Sequence, residues 1–125
     1  MDHTILHTDR APQAIGPYSQ AIKAGGVIYT SGQLGVDPQT GLLPDGIGEQ
    51  THNAMRNIGA ILNAAGLTYD HIVKTTIFLQ DLSHFGAVND VYASYFSGCY
   101  PARSCVQVAA LPKGGLVEIE CVAVG

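Results

Sequence analysis

Charge is scarce in this chain. Of its 125 residues only 13% are Asp, Glu, Lys or Arg, and just six are cations: Arg10, Lys23, Arg56, Lys74, Arg103 and Lys113. They are dispersed, and the net charge is −4. A nucleic-acid-binding module needs clustered cations to displace phosphate counterions, so no nucleic-acid partner is expected. Cysteine is also sparse. Cys99, Cys105 and Cys121 are odd in number and form no CxxC, which argues against a disulfide framework and against structural zinc. Reduced thiols fit a cytoplasmic protein. The five histidines are scattered without an HExxH pattern, so surface positions and no metal site are expected. No apolar run approaches ~18 residues, and the polar start Met-Asp-His-Thr does not resemble a signal peptide. There is no Gly-x-Ser-x-Gly elbow. Gly46-Ile-Gly48 lacks the third glycine and the Lys-Ser/Thr of a phosphate cradle, and reads better as a loop entering a helix.

What the chain does have is apolar surface, at 46% of residues. One domain over 1–125 can bury a real core with that supply, and the excess suggests that other copies of the chain cover part of its surface. Thr4–His7 reads as a short edge strand. Ser19–Ala24 and Val27–Ser31 flank Gly25-Gly26 as a hairpin. A long loop follows over 35–48. Met55, Ile58, Ile61, Leu62 and Ala65 recur at helical spacing over Glu49–Ala65, and Gly66 supplies the stop. The β-branched run Ile72–Leu79 is a strand. A second helix runs from Ser83, taken as its N-cap, to Phe96, with Phe85, Val88, Tyr92, Tyr95 and Phe96 on its apolar stripe. The order β-β-α-β-α-β-β gives an α+β fold: a two-layer sandwich with two helices on one face of a mixed sheet.

The last two strands carry the chemistry. In Pro101–Val108 the residues Arg103, Cys105 and Gln107 point one way, while Ser104, Val106 and Val108 point the other. In Val117–Val124 the pair Glu118 and Glu120 shares one face, and Val117, Ile119, Cys121 and Ala123 line the other. The loop Ala110–Gly115, with Pro112 and two glycines, suggests that the two strands pair directly as a hairpin. Arg103 and Glu118 would then lie a few ångströms apart on the uncovered sheet face. That is a site for a small carboxylate with a water-activating acid beside it. It is equally a common surface pair contributing ~0.2–1 kcal/mol, and the pattern alone fits both. Cys105 as a nucleophile would need a base and a lowered pKa, so a packing or backbone role suits it better. Tyr18 and Ser31 pass as ordinary turn residues by composition.

Several stretches together resemble the RidA family, also called YjgF or reactive intermediate deaminase A proteins. They are Ala14-Ile-Gly-Pro-Tyr-Ser-Gln20, Ile28-Tyr-Thr-Ser-Gly-Gln33, Val73-Lys-Thr-Thr-Ile-Phe-Leu79 and Val88-Asn-Asp-Val-Tyr92. The strongest is Pro101-Ala-Arg-Ser-Cys-Val-Gln-Val-Ala109 with Leu111-Pro-Lys113 and Val117-Glu-Ile-Glu120. The resemblance implies a chorismate-mutase-like fold assembled as a homotrimer with clefts between subunits. It implies hydrolysis of enamines and imines, such as 2-aminoacrylate and its imino tautomer, to 2-keto acids and ammonia. By the same resemblance Arg103 grips the substrate carboxylate, Glu118 positions water, Tyr18 and Ser31 line the pocket, and main-chain groups at Cys105 hold the nitrogen end. The stretch Phe96–Tyr100 looks shorter than in many members.

The chemistry agrees with these residue types. An imine is already electrophilic, so water addition needs an oriented substrate and a modest base, and neither metal nor organic cofactor. The expectation is a cofactor-free 2-iminoacid/enamine deaminase. A non-catalytic binder of 2-keto acids is the alternative: Arg103 suits it, but Glu118 would repel an anionic ligand. The family's other name, L-PSP endoribonuclease, raises ribonuclease activity, which the acidic balance opposes.

Overall fold

The computed structural model describes residues 2–125. Its elements run β1 (His3–Leu6), β2 (Ala21–Ala24), β3 (Val27–Thr30), β4 (Gln33–Leu34), α1 (Ile47–Ala64), β5 (Ile72–Leu79), α2 (Phe85–Ala93), β6 (Ala102–Gln107) and β7 (Val117–Val124). The strands form one mixed sheet in the order β1-β2-β3-β7-β5-β6, with β4 also pairing with β7. Both helices lie against one face, as the α+β reading expects. Val117, Ile119, Cys121 and Ala123 of β7 pack with Ile77 and Leu79 of β5 against Met55, Ile58, Ile61 and Leu62 of α1. All are nearly or fully buried. Truncating one of the large aliphatic residues to Ala therefore costs about 2–5 kcal/mol.

The hairpin expected for the last two strands does not form. β5 lies between them: β6 pairs with it in parallel, with Thr75 opposite Arg103. On its other side β7 runs antiparallel, with Phe78 opposite Glu118. A Pro/Gly loop reverses the chain but does not dictate adjacency. β5, α2 and β6 form a parallel crossover unit, and β7, apolar on one whole face, takes the position where burial is greatest.

The helix limits shift as well. α1 begins at Ile47, two residues before the expected start, with Gly46 at its N-cap in the left-handed half of φ space (84°). Ser83 does not cap α2. A 3-10 turn over Leu82–His84 precedes the helix, and Asp81 accepts from the Ser83 backbone N–H at 2.8 Å. α2 ends at Ala93, three residues before Phe96. The two-residue strand β4 escaped the sequence reading, because no periodicity can register over two residues.

Candidate functional site

One part of the site arises where β3 gives way to β4. β3 pairs with β7 as far as Tyr29 opposite Val122, and pairing resumes with Gln33 opposite Ile119. In the gap the Thr30 hydroxyl replaces a ladder carbonyl and accepts from the Cys121 N–H at 2.9 Å. Ser31 fixes the departing backbone: its N–H donates to the Gln20 carbonyl at 2.9 Å, and its hydroxyl donates to the Ser19 carbonyl at 2.5 Å. Gly32 then runs against the Glu118 side chain. A Cβ there would stand 2.8 Å from the Glu118 Cδ, so only glycine leaves the carboxylate where it is.

Glu118 is half-buried on the helix-free face. Burial pushes its pKa up, and the nearby Glu120 charge pushes it further the same way. It lines a cavity of about 400 Å³ together with Ile15, Tyr18, Gly32 and Lys113. The loop bearing Tyr18 is pinned by the buried Gln20, whose amide donates to the carbonyls of Thr8 at 3.0 Å and Pro12 at 2.8 Å. Ser31 stands beside this lining rather than in it, since its hydroxyl is spent on Ser19.

Arg103 occupies the other face. It shares the orientation of Thr75, whose hydroxyl meets the Tyr92 hydroxyl at 2.7 Å within the helix layer. Its Nη1 donates to Asn89 Oδ1 at 2.6 Å. Its guanidinium carbon lies 5.3 Å from the Phe85 ring centroid and 5.2 Å from that of Tyr92, within cation–π range. Among the described residues no carboxylate pairs with it; the one ion pair found is His7 with Asp9. A second hollow of about 310 Å³ opens over Arg103, lined also by Asn89, Tyr92, Tyr100 and Pro101. Tyr100 brings the connection before β6 into its rim. Cys105 follows Arg103 on the same face, half-buried, and desolvation raises its thiol pKa more than the Arg103 charge lowers it. A thiol held protonated is a poor nucleophile.

The expectation that Arg103, Cys105 and Glu118 share the uncovered face is therefore corrected. Within one chain Glu118 joins Tyr18 on the open face, whereas Arg103 and Cys105 sit on the helix-facing side at the β6 edge. The inserted β5 reverses the geometry that a direct hairpin would give. Sequence reasoning also passed over Gly32, Gln20 and Asn89. Phe85 and Tyr92 were read only as core stripe, although each also presents a ring to the arginine. A clue was present in Asn89, a polar residue directly after the buried Val88 and three before Tyr92.

Fold and site define a class: a two-layer α+β protein presenting an oriented, unpaired guanidinium on one sheet face and a desolvated carboxylate on the other. Residues 8–125 match the family model described as Endoribonuclease L-PSP, and the chain belongs to that family. It is 51% identical over 121 residues to the mouse (Mus musculus) 2-iminobutanoate/2-iminopropanoate deaminase, covering 96% of this chain and 90% of that protein. A crystal structure of a Rid-family protein of unknown function from Yersinia pestis superposes with a TM-score of 0.97 at 51% identity, covering 99% of this chain and 100% of that one. The structure of E. coli TdcF with bound serine superposes at 0.95 with 46% identity, covering 98% of each chain.

Proposed function

We propose that this chain is a cofactor-free 2-iminoacid/enamine deaminase, one domain over 1–125 that acts in the cytoplasm as a homotrimer with its sites in clefts between subunits. The observation that carries the reading is Arg103. A half-buried guanidinium fixed by Asn89, Phe85 and Tyr92, with no carboxylate of its own chain, is a ready receptor for a planar carboxylate. Glu118 faces the other side of the sheet, so a second copy is needed to bring an arginine and a glutamate to one substrate. Exposed apolar side chains on the open face, Tyr29, Val106 and Val124 among them, favour such burial. No helix among the described residues is long and apolar enough to cross a membrane.

The residues divide the work as follows. Arg103 binds the substrate carboxylate in two-point contact and fixes the imine carbon. Glu118, its pKa raised by burial and by the Glu120 charge, takes a proton from the attacking water as oxygen bonds to that carbon. The C=N π electrons go to nitrogen, giving a carbinolamine. Glu118 returns that proton to nitrogen, completing the neutral carbinolamine. It then takes the proton of the carbinolamine hydroxyl and passes it to nitrogen as the C–N bond breaks, so ammonia leaves and the hydroxyl oxygen becomes the C=O of the 2-keto acid. An enamine such as 2-aminoacrylate enters after protonation at its terminal carbon. Tyr18, with Gly32 and the backbone fixed by Ser31, walls the substrate. Main-chain groups at Cys105 hold the nitrogen end.

A non-catalytic binder of 2-keto or amino acids is the second reading, favoured by the serine held in the TdcF structure. The two separate in one assay. Imino acids are generated in situ by an amino-acid oxidase, with semicarbazide competing for the imine, and ammonia and keto acid are followed. Acceleration that Arg103→Ala abolishes, with the assembly intact, is the expected result. No acceleration by the folded wild type would leave the binder.

A further inference from the structure

Lys113 is the one non-glycine residue among those described with a positive φ, 58°. It sits in the turn Pro112–Gly114 that leads into β7, and Gly114 beside it is also left-handed at 68°. A side chain in this region carries a penalty that glycine would avoid. Nothing local compensates. The Lys113 side chain is exposed, with no hydrogen-bond or ion-pair partner among the described residues. Conformational strain kept without local reward points to use of the side chain rather than of the turn.

Its position suggests the use. Lys113 lines the 400 Å³ cavity that holds Glu118, and it is the sole cation of that lining. The cavity is otherwise anionic or neutral, Glu120 follows two residues after Glu118, and the chain carries a net charge of −4. A carboxylated substrate approaching Glu118 meets like charge first, while Arg103 of the same chain faces away. We propose that Lys113 is the capture residue of this half of the site, a mobile ammonium that offsets Glu118 and draws carboxylate-bearing small molecules into the cavity. Lysine suits the task as a point charge on a flexible stem, whereas a rigid fork is needed only where orientation is set. The left-handed turn aims that stem at the cavity. The proposal rests on the deaminase reading for its substrate.

The test compares wild type, Lys113→Gln, Lys113→Arg and Lys113→Gly on an imino acid at ionic strengths from low to about physiological, where screening becomes effective. Gln keeps length and strain but loses charge. We expect it to lower kcat/KM about tenfold through KM, the lower end of electrostatic focusing, with kcat within about twofold and the salt dependence flattened. Arg retains wild-type behaviour. Gly raises the melting midpoint by relieving the left-handed residue, yet shows the same kcat/KM loss as Gln. Wild-type kcat/KM and salt dependence in Gln or Gly would overturn the proposal while leaving the deaminase reading intact. If the wild type does not deaminate at all, that reading fails alone, and salt-dependent binding of 2-oxobutanoate by wild type and Gln decides on Lys113. Weaker, salt-insensitive binding by Gln sustains it; equal binding, or none by the wild type, overturns it.

Discussion

Gly32→Ala tests whether the position of the Glu118 carboxylate, rather than its mere presence, sets the rate. The added Cβ would sit 2.8 Å from Glu118 Cδ and 2.9 Å from its Oε1. Carbon atoms in contact settle near 3.5–4.0 Å, so one partner retreats by roughly 1 Å. The backbone at Gly32 is bound on both sides, through Ser31 to the Ser19 and Gln20 carbonyls and through Gln33 to β7. The end of a glutamate side chain turns far more easily, so Glu118 moves. A misplacement of about 1 Å in a reacting group lowers rates by about 10²-fold, equivalent to about 2.7 kcal/mol of barrier. Stability changes little: position 32 is not left-handed, and an alanine that fits there removes about 0.4–1 kcal/mol of unfolded-state freedom. The assay pairs kcat/KM for imine hydrolysis with a thermal melt. A drop near 10²-fold with the midpoint shifted by only a few degrees is expected. Wild-type turnover would refute the argument, as would a variant that unfolds, since then the backbone and not the carboxylate had given way.

Glu118→Gln separates function from stability. The raised pKa of Glu118 means that the folded protein disfavours its charged form, so ionisation weakens the fold as pH rises through the folded-state pKa. The glutamine variant should therefore melt higher than wild type at pH 7. This advantage should vanish below the unfolded glutamate pKa of about 4.3, while kcat falls about 10²–10⁴-fold from loss of the base. A variant melting lower at pH 7 than wild type would reverse the sign. Tyr92→Phe keeps the ring beside Arg103 but strands the buried Thr75 hydroxyl, so denaturant melts should show about 1–3 kcal/mol lost. Adding Thr75→Val should recover part of it. Activity of Tyr92→Phe should stay nearer to wild type than its stability does, because the ring face, not the hydroxyl, meets the guanidinium.

Much of this molecule was legible in the chain. The 3.6-residue recurrence of Met55, Ile58, Ile61 and Leu62 fixed α1 and its buried face, and strict alternation in Val117–Val124 assigned Glu118 and Glu120 to the side away from the helices. Those are local properties, set by the geometry of a single element and by the removal of apolar surface from water. The residue types Arg103 and Glu118 suggested carboxylate binding and water activation, but the pattern alone fitted a plain surface pair as well. What alternation cannot convey is which strand lies beside which. Pairing is a long-range choice made by the whole sheet, and β5 between β6 and β7 turned an expected neighbour pair into groups on opposite faces. Gly32 against Glu118, and Lys113 in one cavity with Ile15 and Tyr18, are likewise meetings of segments distant in sequence. They exist only once the sheet has closed, because no spacing along the chain encodes a distance across it.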